Sequence, residues 1–193
     1  MTEGFFVYVD RLLYMLATQC YNRHINMVVI KSPEINERLY RNAVLYFIKY
    51  CNNQYLHETK LNKLLYYLDF ISFRDYKKPV TGDVYIHQQY GPVPSRVDEI
   101  LASLKKEGII DTKAVAYKDG ELIQFELKNG DNVDENVFST EQKELLKKIC
   151  DEFGNWPTEK IVAQTHLEAP WFYSKPYEIV DYAYSRDIDL FQK

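Results

Sequence analysis

The chain has 193 residues, of which 46% are hydrophobic and 27% are charged. This composition is ordinary for a globular protein and excludes disordered, collagen-like and coiled-coil chains. The formal net charge of −4 gives no overall attraction to phosphate backbones, so nucleic acid is disfavoured as a partner. Seventeen tyrosines and ten phenylalanines are the unusual feature, because these side chains suit interfaces as well as cores.

The cysteines and the N-terminal sequence predict the compartment. Cys20, Cys51 and Cys150 are far apart and odd in number, which indicates buried, reduced thiols in a cytosolic protein and not a disulfide framework. The apolar N-terminal run is interrupted by Asp10 and Arg11. Each such charge costs about 3 kcal/mol at the centre of a membrane span. We therefore expect a cytoplasmic protein with no membrane partner.

The first half of the chain predicts three helices. An amphipathic pattern covers residues 5–20, and Ser32 followed by Pro33 is typical of a helix start. A helix is therefore expected from Pro33 to about Cys51. Residues 58–76 are apolar on most of the helix circumference, which predicts a helix at the centre of the fold.

The middle of the chain predicts extended segments and one capped helix. Residues 84–88 are expected to be extended, and Ser95 is expected to cap a helix that stops at Gly108. The segment AVAYKDGELIQFEL then predicts a hairpin that turns at Asp119 and Gly120.

The C-terminal part predicts two further helices. Ser139 and Gln142 form a capping box for a helix to about Phe153, and Thr158 is expected to cap a helix that Pro170 stops. The tyrosine-rich tail after residue 172 shows no clear periodicity. In sum, we predict a mostly α-helical single domain of the α+β class with a small β-hairpin.

Catalytic and metal-binding signatures are missing from the sequence. It contains no GxGxxG, GxxxxGK[ST], GxSxG, HExxH or CxxC motif, so we expect no enzyme activity, no cofactor and no metal. A lone histidine such as His166 could act as a base, but a structural role is favoured. Asp69, set among apolar residues, must either pair with a donor or lie at a groove, and pairing is favoured.

A helix followed by a hairpin also has the order of a winged-helix DNA-binding regulator. The segment carries five basic residues, Arg96, Lys105, Lys106, Lys113 and Lys118. Acidic residues, among them Asp98, Glu99, Glu107, Asp111 and Asp119, share the same region, so its charges nearly cancel. An ordinary capped helix beside a hairpin is therefore favoured over DNA recognition.

Three motifs together resemble one family. KLNKLLYYLDF (residues 60–70), TGDVYIHQQYGPVP (81–94) and THLEAPW (165–171) are similar to the Panacea domain of SocA-like antitoxins, which includes phage-associated GepA-like proteins. The resemblance implies a bacterial or prophage antitoxin that neutralises a cognate toxin by direct binding. It also implies a variant role, in which the antitoxin is an adaptor that delivers the toxin to a protease. Residues 1–35 lie outside the family pattern, so we assign them to an N-terminal helical arm and residues 36–193 to the Panacea domain with its tail.

The resemblance carries over to named positions, with Asn62 as a departure where the family more usually has glutamine. Together with two further aromatic residues, Phe73 and Trp156, these positions give the predicted partner-binding set. It comprises Tyr66, Asp69, Phe73, Tyr85, Tyr90, Gly91, Pro92, Pro94, Trp156, His166 and Trp171. Trp156 and Trp171 bracket one predicted helix, and a core role and a binding role are equally open for both. We interpret Tyr90 to Pro94 as a stiff corner that holds aromatic rings ready for a partner.

Overall fold

The computed structural model describes residues 34–51, 56–117, 120–128 and 133–192. The helix predicted over residues 5–20 and most of the N-terminal arm lie outside these ranges. The described residues confirm an α+β fold that is mostly helical. They contain two antiparallel hairpins, whereas the sequence predicted one.

The elements follow one another with short connections. The helices are α1 (Glu37–Tyr50), α2 (Glu58–Tyr76), α3 (Val97–Lys106), α4 (Thr140–Phe153), α5 (Thr158–Leu167) and α6 (Ala169–Phe172). The strands are β1 (Tyr85–Gln88), β2 (Gly91–Pro94), β3 (Ile110–Tyr117) and β4 (Gly120–Leu127), and the 3-10 turns are Glu135–Val137 and Tyr182–Asp187.

Helix α2 forms the centre of the fold, as its apolar circumference predicted. Every residue from Lys60 to Ser72 is buried. The helix ends where Lys77 adopts a left-handed backbone conformation with φ of 57°. The ring of Tyr67 stacks on that of Phe153 in α4, with centroids 4.6 Å apart. Strand β2, helices α1, α4 and α5 and the 3-10 turn Tyr182–Asp187 pack against α2.

Helix α1 begins later than Ser32 and Pro33 predicted. Its cap is Asn36, whose side-chain oxygen accepts a hydrogen bond from the amide of Leu39. Asparagine is as effective as serine at this position because its oxygen satisfies an amide of the first turn. The helix ends at Tyr50, close to the predicted end.

Strands β1 and β2 form a tight hairpin that the sequence did not predict. Tyr85 lies opposite Pro94 and Gln88 lies opposite Gly91, so Gln89 and Tyr90 make a two-residue turn. Two prolines argued against a strand, since proline cannot donate to a ladder. They are tolerated because, among the described residues, β2 pairs with β1 alone and its other main contacts are with helices α2 and α5.

The C-terminal tail lies along the other edge of β1. The amides of Tyr177 and Val180 donate to the carbonyls of His87 and Tyr85, at 2.9 and 2.8 Å, and the His87 amide donates to Glu178. The tail is thereby part of the fold around the first hairpin.

The predicted cap of α3 is wrong. The Ser95 hydroxyl donates to Asp83 Oδ1 at 2.7 Å, while the amide of Arg96 donates to Asp83 Oδ2 at 2.9 Å. The carboxylate of Asp83, in the preceding segment, thus accepts the hydrogen bonds at the start of α3. The end is as predicted, because Gly108 has a positive φ of 69°.

The second hairpin is confirmed, but its turn lies one residue earlier than predicted. Tyr117 pairs with Gly120, so residues 118–119, which lie outside the described ranges, connect the strands in place of Asp119 and Gly120. Ile123, Phe125 and Leu127 alternate along β4 and therefore share one face of the hairpin. Phe125 is buried, and its amide donates to the Leu56 carbonyl. Ile123 is 55% exposed. Burial therefore stops part of the way along the strand.

The capping box of α4 is confirmed, with Ser139 and Gln142 bonded reciprocally. Thr158 is not a cap but the first residue of α5, and its hydroxyl lies 2.7 Å from His57 Nε2. Pro170 does not end a helix either. It lies in the first turn of α6, where a missing amide hydrogen has no cost.

Candidate functional site

Asp69 lies buried in the middle of α2 and is fully paired with neutral donors. It accepts hydrogen bonds from the Thr81 amide at 2.7 Å, the Thr81 hydroxyl, and the Tyr85 hydroxyl at 2.9 Å. Burial raises the pKa of this carboxyl to about 6, although the hydrogen bonds oppose that shift. Asp69 therefore anchors the start of the first hairpin to the central helix.

Three predicted contact residues have no surface to offer a partner. The side chains of Tyr66, Asp69 and Tyr85 are fully buried. The ring of Tyr66 packs against Phe70, with centroids 4.6 Å apart. The predicted direct contact is therefore corrected to a positioning role, since an α2 apolar on all sides buries its rings and not only one face. Phe73 is partly buried under Tyr182.

Asp83 is a positioning residue that the sequence analysis missed. It is buried and accepts the Tyr40 hydroxyl from α1 at 2.9 Å, in addition to Ser95 and Arg96 before α3. A single carboxylate thus joins α1, the hairpin and α3. Its place beside Gly82 in the 81–94 motif was the available signal.

Lys63 holds the turn of the first hairpin against α2. Its Nζ donates to the Pro92 carbonyl at 2.8 Å, and its side chain is fully buried. Burial lowers the pKa of this ammonium to about 7. The close approach requires Gly91, where a Cβ would lie 2.9 Å from Lys63 Cε and 2.7 Å from Thr165 Oγ1. Gly91 also has φ of +99°, which side chains rarely adopt.

Lys60 makes a parallel connection one turn earlier. Its Nζ donates to the carbonyls of Gly154 and Trp156, at 2.8 and 2.7 Å, just after α4 ends. A cation at a helix C-terminus is favourable because the free carbonyls carry partial negative charge. Trp156 is partly buried, and Lys160 Nζ lies 3.4 Å from its ring centroid. Trp156 therefore packs between the core and a surface lysine.

Trp171 is enclosed between two histidines. Its ring stacks on His166 at a centroid distance of 3.9 Å and on His87 at 4.6 Å. Its Nε1 donates to the Gln88 carbonyl at 3.3 Å. Burial lowers the pKa of both imidazoles, so the neutral rings are favoured, and for His166 the charges of Lys63 and His87 add to that effect. The stack joins α5, α6 and the first hairpin.

Five large apolar side chains are more than half exposed around this stack. Their exposed fractions are 59% for Tyr90, 80% for Leu167, 67% for Phe172, 62% for Tyr173 and 80% for Tyr177. Leu167 follows His166 and Phe172 follows Trp171 in the chain, while the Tyr177 amide is bonded to the His87 carbonyl. We call these five residues the aromatic surface.

The sequence predicted one member of the aromatic surface, Tyr90. The residues next to it, Gly91, Pro92 and Pro94, are on the predicted corner but are buried against the helices. The other four members were missed. The available signal was the density of tyrosines after Trp171, in a tail whose aperiodic pattern gave no indication of which rings are exposed.

In the segment with the order of a recognition helix and wing, three of the basic residues contact neighbouring side chains. Arg96 pairs with Glu99 at 2.7 Å, and Lys113 pairs with Glu126 at 3.2 Å across the hairpin. Lys105 lies 5.7 Å from the Phe125 ring centroid. These contacts support an ordinary helix and hairpin over a cationic face for DNA.

The described ranges contain no group of three or more His, Cys, Asp or Glu residues placed to hold a metal ion. Nor does any helix in the described part of the chain have the length and apolarity needed to cross a membrane.

Comparison with known families gives a match over more than half of the chain. A family model described as "Antitoxin SocA-like, Panacea domain" matches residues 61–172, which extend from within α2 to the end of α6. The search of curated proteins and the search of solved structures each give no match. The family match confirms the resemblance seen in the three motifs. Three members of the aromatic surface, Tyr90, Leu167 and Phe172, lie inside the matched range, and Tyr173 and Tyr177 lie beyond it.

Proposed function

Because the chain belongs to the SocA-like antitoxin family that carries the Panacea domain, we propose that it neutralises a toxin protein by binding it directly. The observation that carries the proposal is the aromatic surface. Exposed apolar groups of this size are uncommon in clusters on a monomer and are typical of protein-binding sites. Tyrosine is also among the residues that contribute most to binding energy in protein interfaces.

The buried residues that position the aromatic surface support binding by a preformed site. Lys63 and Gly91 fix the turn that carries Tyr90, and the two histidines fix Trp171 beside Phe172. Rings that are held in place before the partner arrives lose less conformational entropy on binding. The predicted stiff corner is thus retained in the proposal, with buried residues supporting exposed ones.

The finer features of the family resemblance are part of the same proposal. We propose a cytoplasmic bacterial or prophage protein, encoded beside its toxin, that acts by binding and not as an enzyme. Delivery of the bound toxin to a protease is the adaptor form of this activity. In both forms the first step is formation of the complex.

Co-expression tests the function. The product of the neighbouring reading frame is expressed with and without the chain, and growth and co-purification are measured. We expect the chain to restore growth and to co-purify with that product. A chain that neither restores growth nor co-purifies would contradict the proposal.

A surface variant tests the binding site in the same assay. Phe172→Ala combined with Tyr177→Ala removes two exposed rings and is expected to abolish growth rescue. Ile123→Ala is the matched control, because Ile123 is also exposed but lies on the second hairpin. Equal rescue by both variants would contradict this placement of the site.

A further inference from the structure

Two buried cysteines lie in direct contact. Cys51 Sγ and Cys150 Sγ are 2.6 Å apart, although the residues are 99 positions apart in the chain. Cys51 follows the last residue of α1, and Cys150 lies in the last turn of α4. Both are free thiols in the structure. The fold therefore places the two sulfurs where one covalent bond can join them.

A buried cation lies close to the pair. Lys60 interacts electrostatically with both thiols, and its ammonium also binds the carbonyls that follow α4. The hydrogen bond with Cys51 and burial raise the pKa of the Cys150 thiol, while Lys60 opposes that rise. A nearby ammonium stabilises the thiolate, which is the reactive form in thiol oxidation.

We propose that Cys51 and Cys150 are a site of reversible oxidation that closes to an intramolecular disulfide when the protein meets a peroxide. One thiolate attacks hydrogen peroxide and becomes a sulfenic acid, with release of one water. The second thiolate attacks that sulfur, the S–S bond forms, and hydroxide leaves and is protonated to a second water. Two thiols and one peroxide thus give one disulfide and two waters. A dithiol reagent reverses the step by thiol–disulfide exchange.

The bond would join the end of α1 to α4. It would close a loop of roughly 100 residues, which restricts the unfolded chain strongly. We expect the thermal midpoint of the oxidised protein to lie roughly 10 °C above that of the reduced protein. The reduced thiols predicted from the sequence are the reduced state of Cys51 and Cys150, and the disulfide is their oxidised state.

The full chain with Cys20→Ser gives the cleanest test, because Cys51 and Cys150 are then its two remaining thiols. The folded protein is treated with hydrogen peroxide, and thiols are counted after denaturation. We expect both thiols to disappear, the mass to fall by two hydrogen atoms, and a linked peptide to contain both residues. Dithiothreitol should restore both thiols.

Three outcomes would overturn the proposal. They are a gain of oxygen mass without a linked peptide, a disulfide between two chains, and no loss of thiols while the protein stays folded. Cys150→Ser is the control for the thermal shift, and peroxide should leave its midpoint unchanged. Growth rescue plays no part in this test, so its result is independent of the proposed toxin binding.

Discussion

Replacement of Lys63 by methionine tests how the hairpin is held on α2. Methionine keeps most of the side-chain volume but removes the ammonium and its hydrogen bond to the Pro92 carbonyl. Loss of that bond leaves a buried carbonyl unpaired and costs about 1–3 kcal/mol at every pH. The substitution also has a pH-dependent effect on the free energy of unfolding, because the wild-type ammonium is buried and titrates, whereas methionine has no charge.

The sign of the pH effect follows from the lowered pKa. The pKa of Lys63 is lowered from 10.5 to about 7 in the folded protein. Between these values the unfolded chain binds more protons at this residue than the folded chain does, so stability rises with pH. From about pH 7 to about pH 9, the wild type should gain about 2 kcal/mol of unfolding free energy relative to Lys63→Met.

Urea unfolding of both proteins across that pH range measures the difference. Lys106→Met is the matched control, because it replaces an exposed lysine. The difference between this control and the wild type should stay constant with pH. A constant difference for Lys63→Met, or one that falls as pH rises, would refute the reasoning.

Two other substitutions test how the first hairpin is held against α2, again by urea unfolding. Gly91→Ala should lower the unfolding free energy by about 2–3 kcal/mol, because the new Cβ meets Thr165 Oγ1 and Lys63 in a close-packed site. Gly120→Ala is the control, because an added Cβ there meets no atom within 4 Å among the residues that the structure describes, and an effect as large as that of Gly91→Ala would contradict the packing argument. The Asp69 pKa is raised from 3.8 to about 6, so its contribution to stability is present below the unfolded value and is lost as pH rises through the folded one. The wild type should therefore lose about 3 kcal/mol relative to Asp69→Asn across this window, and a gain over the same range would contradict the assignment.

The sequence predicted the central helix well, because its apolar pattern is long and covers most of the helix circumference. The predicted range of residues 58–76 is the range of α2. Strand β2 was missed because its prolines argue against a strand, and tertiary packing against helices overrides that preference. The cap of α3 was assigned to Ser95 because it precedes the helix, whereas the structure uses Asp83.

The candidate site was predicted in part. The motifs led to the part of the molecule that carries the aromatic surface, since Tyr90 is exposed and Trp171 packs beside its turn. They did not separate exposed rings from buried ones. Tyr66 and Tyr177 are the same residue type, and burial by the surrounding elements decides that one lies in the core and the other on the surface. Such long-range packing is not encoded in local periodicity.

The affinity of the purified toxin for the surface variant tests the central claim most directly. Binding is measured by titration calorimetry for the wild type, for Phe172→Ala with Tyr177→Ala, and for Ile123→Ala. We predict that the double variant binds roughly 100-fold more weakly, because each lost ring is expected to act as a strong contact, while Ile123→Ala binds within about twofold of the wild type. Unchanged affinity of a folded double variant would contradict the claim that the toxin covers the aromatic surface.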